Sequence, residues 1–302
     1  MIKQTKPQLL QESMLRPLIP LRKHDAHKGI FGSVVILGGD TGMAGAVLLA
    51  ARAALYCGAG RVYAALLCNS APSVDVYQPE IMLRSPLAIS QLPQLDCVVI
   101  GPGLGQSNAA VELLEFWLAQ NVAMLLDADA LNLIASHLQL ASLVISRDAE
   151  TVITPHAGEA ARLLNANSAH VQQNRTKSAL ELARLLHVTC VLKGAGTICA
   201  QHNGSCFMNT TGNVALASGG TGDVLSGIIG SLMAQGLTGL EAAKLGVYVH
   251  GAAADALVEA GVGKVGITAS EVIIEARNVI NKLSLPACHK HTTQAHINAK
   301  RF

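Results

Sequence analysis

The residues best suited to chemistry in this chain sit together in Ser218-Gly219-Gly220-Thr221-Gly222-Asp223. Residues this small pack no core, but they bring bare backbone N–H groups close to a ligand. Directly after them, Val224, Leu225, Ile228, Ile229, Leu232 and Met233 recur at helical spacing, so a buried helix is expected from about Thr221. A glycine turn that opens a helix is a ready anion site, because the first amides are unpaired and the dipole end is positive. Asp223 would set a carboxylate beside that anion, and a base next to a phosphate hole suits phosphoryl transfer. Taken alone, the same residues also fit a tight turn with an acidic helix cap.

Five further clusters carry glycine or acid: Gly38-Gly39-Asp40-Thr41-Gly42, Gly101-Pro102-Gly103-Leu104-Gly105, Asp127-Ala128-Asp129-Ala130-Leu131-Asn132, Thr154-Pro155-His156-Ala157-Gly158-Glu159 and Lys193-Gly194-Ala195-Gly196-Thr197. Each follows a short apolar run that reads as a strand: Ser33–Leu37, Cys97–Ile100, Val122–Leu126, Thr151–Thr154 and Thr189–Leu192, with a further strand at Arg61–Leu67. Helical spacing is expected over 43–57, 108–120, from Glu159 on to Leu164, 180–186, 221–235, 239–260 and 268–283. Asn203-Gly204 predicts a hairpin between 198–200 and 205–208. This alternation argues for a three-layer α/β/α fold around a mainly parallel sheet. In such folds the site is built at the carboxyl ends of the strands, where all these clusters fall. One domain, residues 28–285, is expected, after a polar, basic arm (1–27, with Pro7, Pro17 and Pro20) and before a tail at 286–302 expected to be disordered.

Bulk composition narrows the function classes. The chain has 302 residues, 50% of them hydrophobic and 14% charged, enough to bury a sizeable core. Arg52 interrupts the best candidate membrane span, 43–57, so no membrane partner is expected. A net charge of +2 without a basic run points to no nucleic-acid partner. Seven cysteines without a C-x-x-C pair read as small buried hydrophobes in a reducing compartment, and the cytoplasm is the default.

As an ordered set, the six clusters resemble the ADP-dependent NAD(P)H-hydrate dehydratases, a branch of the ribokinase-like fold, over about residues 28–283. In many bacteria that domain is fused to an epimerase; this chain is similar to the stand-alone form. The resemblance implies ADP-dependent dehydration of the S epimer of hydrated NADH or NADPH, with ADP or ATP as co-substrate, Mg²⁺, and a homotetramer. Phosphorylation of the C6 hydroxyl would turn a poor leaving group into a good one, and elimination would restore the reduced ring. It implies Asp223 as the base, and Ala46, Gly103 and His156 with Asp223 at the hydrated nicotinamide. Lys193, Gly194, Ala195, Gly196, Thr197 and Gly222 would meet the nucleotide, through amides and the Thr197 hydroxyl; nothing matches a G-x-x-x-x-G-K-[ST] loop. Glu159 would order magnesium-bound water, and Asp127 and Asp129 would be supporting groups or helix caps. Two other readings stay open: a kinase of the same fold acting on a vitamin-precursor alcohol, and a nucleotide-binding protein without catalysis. Kinases of the fold often carry asparagine where this chain has His156, and the non-catalytic reading would need a damaged base loop, whereas Asp223 is intact.

Overall fold

A computed structural model describes residues 6–68 and 70–285. Ten strands form one sheet: β1 (Gln8–Leu9), β2 (Ser33–Gly38), β3 (Arg61–Leu66), β4 (Met82–Leu83), β5 (Cys97–Ile100), β6 (Ala123–Leu126), β7 (Thr151–Ile153), β8 (Thr189–Leu192), β9 (Ile198–Gln201) and β10 (Cys206–Met208). Their spatial order is β1-β10-β9-β8-β7-β6-β5-β2-β3-β4. All neighbours from β4 to β8 are parallel, and β9 turns back antiparallel to both β8 and β10. The helices are α1 (Glu12–Leu15), α2 (Ala44–Tyr56), α3 (Pro86–Ser90), α4 (Asn108–Leu118), α5 (Asp129–Ser136), α6 (Leu138–Ile145), α7 (Ala157–Leu163), α8 (Ser168–Gln173), α9 (Arg175–Leu186), α10 (Thr221–Ala234), α11 (Gly239–Glu259) and α12 (Ala269–Ser284).

The unbroken apolar runs of the strands have a direct cause. Val34 and Ile36 of β2 bury against α2, α10, α11 and α12, while Val35 and Leu37 bury on the opposite face with α4 to α9. A strand covered on both sides has no solvent face to mark with polar residues. The expected three layers are therefore present. Helix α10 lies flush in its layer because two of its three glycines stand where a side chain would not fit. A β-carbon at Gly227 would collide with the Ala50 carbonyl of α2, and one at Gly230 with Val99 of β5.

Strands and long helices fall within a few residues of their expected bounds. The exceptions are short or weakly patterned. Helices α3, α5, α6 and α8 were not expected; in α8 the only buried residue is Val171, so its sequence carries no apolar period. Helix α9 starts at Arg175 rather than Leu180. The arm is laid on the domain: β1 pairs with β10, Leu10 and Leu15 are buried, and Arg16 donates to the carbonyls of Leu283 and Leu285. A two-residue strand leaves no periodic signal to read. The tail expected from residue 286 lies outside the described residues. No described helix is long and apolar enough to cross a membrane, and the described cysteines are all free and buried.

Candidate active site

The turns after β2, β5 and β6 are knitted by their backbones. Gly39 and Asp40 donate to the carbonyls of Pro102 (3.0 Å) and Gly103 (2.7 Å). Asp129 Oδ2 accepts from the Gly105 amide at 2.9 Å, so this acid braces a neighbouring turn. Gly103 has φ +57°, and a β-carbon there would stand 2.6 Å from Met43 Cβ and 3.4 Å from Ala46 Cβ. Gly103 and Ala46, far apart in sequence, thus share one surface at the start of α2.

The same helix reaches the turn before α10. Gly220 is the N-cap, with φ +86°, and a β-carbon there would meet Leu49 of α2 at 2.6 Å. The left-handed conformation explains why glycine occupies this position. The Thr221 hydroxyl points back, toward the carbonyls of Leu216 and Ser218. No side chain caps α10. In α7, α11 and α12, by contrast, capping boxes occupy the first amides. The amino end of α10 is therefore open to an anion. Asp223 stands in its first turn; burial pushes its carboxyl up to about 6, the nearby Asp127 charge adds to this, and Lys193 opposes it. It is a carboxylate at neutral pH with a raised proton affinity, as suits a general base.

Beneath this turn lies a polar group that sequence reasoning placed only loosely. Asp127, 1% exposed at the end of β6, accepts from Lys193 Nζ at 2.7 Å and from Ser226 Oγ at 2.7 Å. Burial pushes the Asp127 carboxyl up, but the Lys193 charge and the hydrogen bonds from Lys193, Ser226 and Thr154 outweigh it and hold it below its ordinary value. Burial likewise pulls Lys193 down, and the Asp127 and Glu159 charges reverse this, so the ammonium is retained. A β-carbon at Gly222 would be 3.7 Å from Lys193 Nζ. The signal in the sequence was an acid directly after an apolar strand, Ala123–Leu126, with a lysine at the equivalent place after Thr189–Leu192.

His156 caps α7. Its Nδ1 accepts from the amides of Gly158 (2.9 Å) and Glu159 (3.2 Å), and Glu159 Oε2 accepts from the His156 amide at 2.8 Å. This is a capping box with imidazole in place of the usual hydroxyl. Because Nδ1 accepts, the ring hydrogen resides on Nε2, 3.3 Å from Glu159 Oε1, and the ring is half exposed. Burial, then the Lys193 and Arg162 charges, lower the imidazole below its ordinary value, which keeps it neutral. Glu159 is 5% exposed, and burial pushes its carboxyl up to about 7.

The turn after β8 is joined to that after β7 by the Lys193 amide on the Pro155 carbonyl, 2.8 Å. Its carbonyls face inward: Arg175 donates to Leu192, Lys193 and Gly196, and the Thr197 hydroxyl donates to Gly194 at 2.9 Å. The hydroxyl hydrogen of Thr197 is thereby committed within the turn.

Among the described residues, no group of three or more His, Cys, Asp or Glu side chains could cage a metal ion. Asp127 is paired with Lys193, and both oxygens of Glu159 face His156, so neither is a free direct ligand and an ion could meet them only through water. That donor set suits Mg²⁺ delivered on nucleotide phosphates. A separate cavity of about 370 Å³ lies at the amino ends of β7 and β8, lined by Arg147, Glu150, His187 and His202 among others; it contains none of these site residues.

The sequence model of the family described as NAD(P)H-hydrate dehydratase matches residues 34–276. The ADP-dependent (S)-NAD(P)H-hydrate dehydratase of Neisseria meningitidis is 39% identical over 286 residues, covering 93% of this chain and 96% of that one. The bifunctional NAD(P)H-hydrate repair enzyme of Coxiella burnetii is 40% identical over 281 residues, covering 92% of this chain and 56% of the relative, so the chain spans little more than half of it. Among solved structures, the ADP/ATP-dependent NAD(P)H-hydrate dehydratase of Bacillus subtilis, co-crystallised with ATP/Mg²⁺, superposes with a TM-score of 0.82 at 29% identity. It covers 92% of this chain and 99% of that one.

Proposed function

The chain belongs to the NAD(P)H-hydrate dehydratase family, and we propose that it dehydrates the S epimer of hydrated NADH or NADPH with ADP as phosphoryl donor. The observation that carries this reading is the uncapped amino end of α10 with Asp223 in its first turn. Asp223 takes the C6 hydroxyl proton as that oxygen attacks the terminal phosphorus of ADP, and AMP leaves. The first amides of α10, Gly222 among them, hold the oxygens of the phosphoryl group in flight. The ring nitrogen's lone pair then expels inorganic phosphate from C6, C5 loses a proton, and the double bond returns. Hydrate and ADP give NAD(P)H, AMP and phosphate.

Ala46 and Gly103 form the floor for the nicotinamide, and His156 Nε2–H is the donor that orients it. The amides of Gly194 to Thr197 take the nucleotide phosphates. Mg²⁺, entering on the nucleotide, would neutralise phosphate charge, with Glu159 reaching it through water. Buried free thiols suit a reducing cytoplasm, and by family resemblance the assembly is a homotetramer, which light scattering measures directly.

The test is to incubate the protein with hydrated NADH and ADP, ATP or neither, following the absorbance of the restored dihydronicotinamide and the phosphorus spectrum. Nucleotide-dependent recovery with AMP and phosphate is expected. No recovery with either nucleotide defeats the reading, and a phosphorylated product that accumulates makes the protein a kinase of this fold.

A further inference from the structure

Lys193 was read from the sequence as part of a nucleotide turn. Its side chain does something separate. The ammonium lies 2.7 Å from Asp127 Oδ1, and Ser226 on α10 fixes the other oxygen, so β6, β8 and α10 are joined through one buried carboxylate. Such a pair is poor value as a structural device, since desolvation offsets most of its attraction and apolar residues would pack as well. Its location points elsewhere. Nζ stands beside Gly222, next in sequence to Asp223, and 19% of the lysine side chain is exposed. Asp127 is its only hydrogen-bond partner among the described residues, which leaves two of its three N–H groups for a ligand.

We propose that Asp127 and Ser226 are positioning residues that hold the Lys193 ammonium in the anion hole of α10, as the cation that meets the transferring phosphoryl group. The assignment rests on the reaction proposed above. Charge on a phosphoryl group in flight spreads over three oxygens, and a cation already in place needs no reorganisation to meet it. The charged and titratable groups around it come from each packed element: Asp127 from the end of β6, His156 and Glu159 from the start of α7 with Arg162 in its last turn, Asp223 from α10 and the buried His250 from α11.

Lys193→Met, Asp127→Asn and Ser226→Ala are compared with wild type for kcat, KM for the hydrate, the pH profile of kcat/KM, and affinity for inorganic phosphate by calorimetry. Lys193→Met is expected to lower kcat by at least about a hundredfold, the scale of one lost oxyanion donor, with KM for the hydrate within threefold, and to weaken phosphate binding at least tenfold. The acid limb assigned to Asp223 should move up in Lys193→Met, which removes a positive neighbour, and down in Asp127→Asn, which removes a negative one. Ser226→Ala should lower kcat with the fold intact, and carries the positioning test should Asp127→Asn fail to fold. Opposite movements are not produced by general loosening of the fold. A kcat within threefold in Lys193→Met, acid limbs that stay in place, or unchanged phosphate affinity would each overturn the assignment. Phosphate affinity decides it even if wild type restores no NADH, so failure of the reaction and of this inference are told apart.

Discussion

Replacing His156 separates the cap it forms on α7 from the hydrate contact proposed for its ring. Nδ1 caps α7 through two amides, and Nε2, 3.3 Å from Glu159 Oε1 on a half-exposed ring, carries the hydrogen proposed to meet the hydrate. His156→Ala removes both. Loss of the cap costs about 1 kcal/mol, or about 2–4 °C in Tm for a protein of this size class. Loss of one hydrogen bond to the hydrate, about 1.4 kcal/mol, raises KM roughly tenfold. His156→Asn divides the effects: its amide oxygen accepts from the same backbone groups but is too short to replace Nε2–H. The asparagine variant should therefore melt within about 1 °C of wild type, since a good cap is retained, yet keep the tenfold KM defect. Affinity for ADP should barely change in either, because the turn at 193–197 is held by Arg175 and Thr197 and by a backbone bond to Pro155 that neither change touches. Thermal melts and paired titrations in hydrate and ADP provide the measurement. If asparagine restored KM together with Tm, His156 would be a cap and nothing more. A loss confined to ADP would put the imidazole at the nucleotide.

Asp223→Asn should lower kcat by at least about a hundredfold while leaving ADP affinity in place, as for a lost general base; turnover within threefold of wild type refutes the role. The Asp223 carboxyl is raised to about 6 in the folded protein from 3.8, so the native state binds more protons than the unfolded one between those values. Its contribution to stability therefore grows as pH falls through that window, and above it the buried charge is a cost. Asp223→Asn should accordingly raise Tm at pH 8 but give little gain at pH 4, and an equal gain at both would remove the electrostatic cause. ADP with Mg²⁺ should raise Tm by mass action, and no shift at millimolar nucleotide would sink the nucleotide-dependent reading. Gly227→Ala should lower stability by about 1–3 kcal/mol or more in urea melts, because its methyl meets the Ala50 backbone, which has no rotamer to yield; a change below 0.5 kcal/mol would contradict that packing.

The parts of the fold legible in the sequence were those with strong local patterns. Ser33–Gly38 and Cys97–Ile100 could be little else than doubly covered strands, and Asn203-Gly204 marked a hairpin that pairs Cys206 with Ala200. The arm was not legible, since β1 makes only two residues of pairing and Leu15 is buried through tertiary contact. At the site, residue types announced Asp223 and the turns, whereas partners did not. Asp127 and Lys193 are 66 positions apart, and nothing in their local sequence says that they form a pair. His156 illustrates the same limit: as a residue type it suggested a ligand contact, while its role as a cap depends on where α7 begins.

The exceptions to local rules are informative because of where they fall. The amino ends of α11 and α12 find a side-chain acceptor, whereas α10, like α2, α5, α6 and α9, has none. A buried strand ordinarily ends without a charge, yet β6 ends on Asp127. A cap is ordinarily a hydroxyl or short amide, yet α7 uses an imidazole. Each departure costs stability by itself, and each has an ordinary remedy that other parts of this chain use: Thr238 and Thr268 cap α11 and α12 in full boxes. What sets the α10 end apart is its company: the Lys193 ammonium bonds to Asp127, abuts α10 at Gly222 and acts electrostatically on His156, so one charge reaches the acid, the open helix end and the imidazole together.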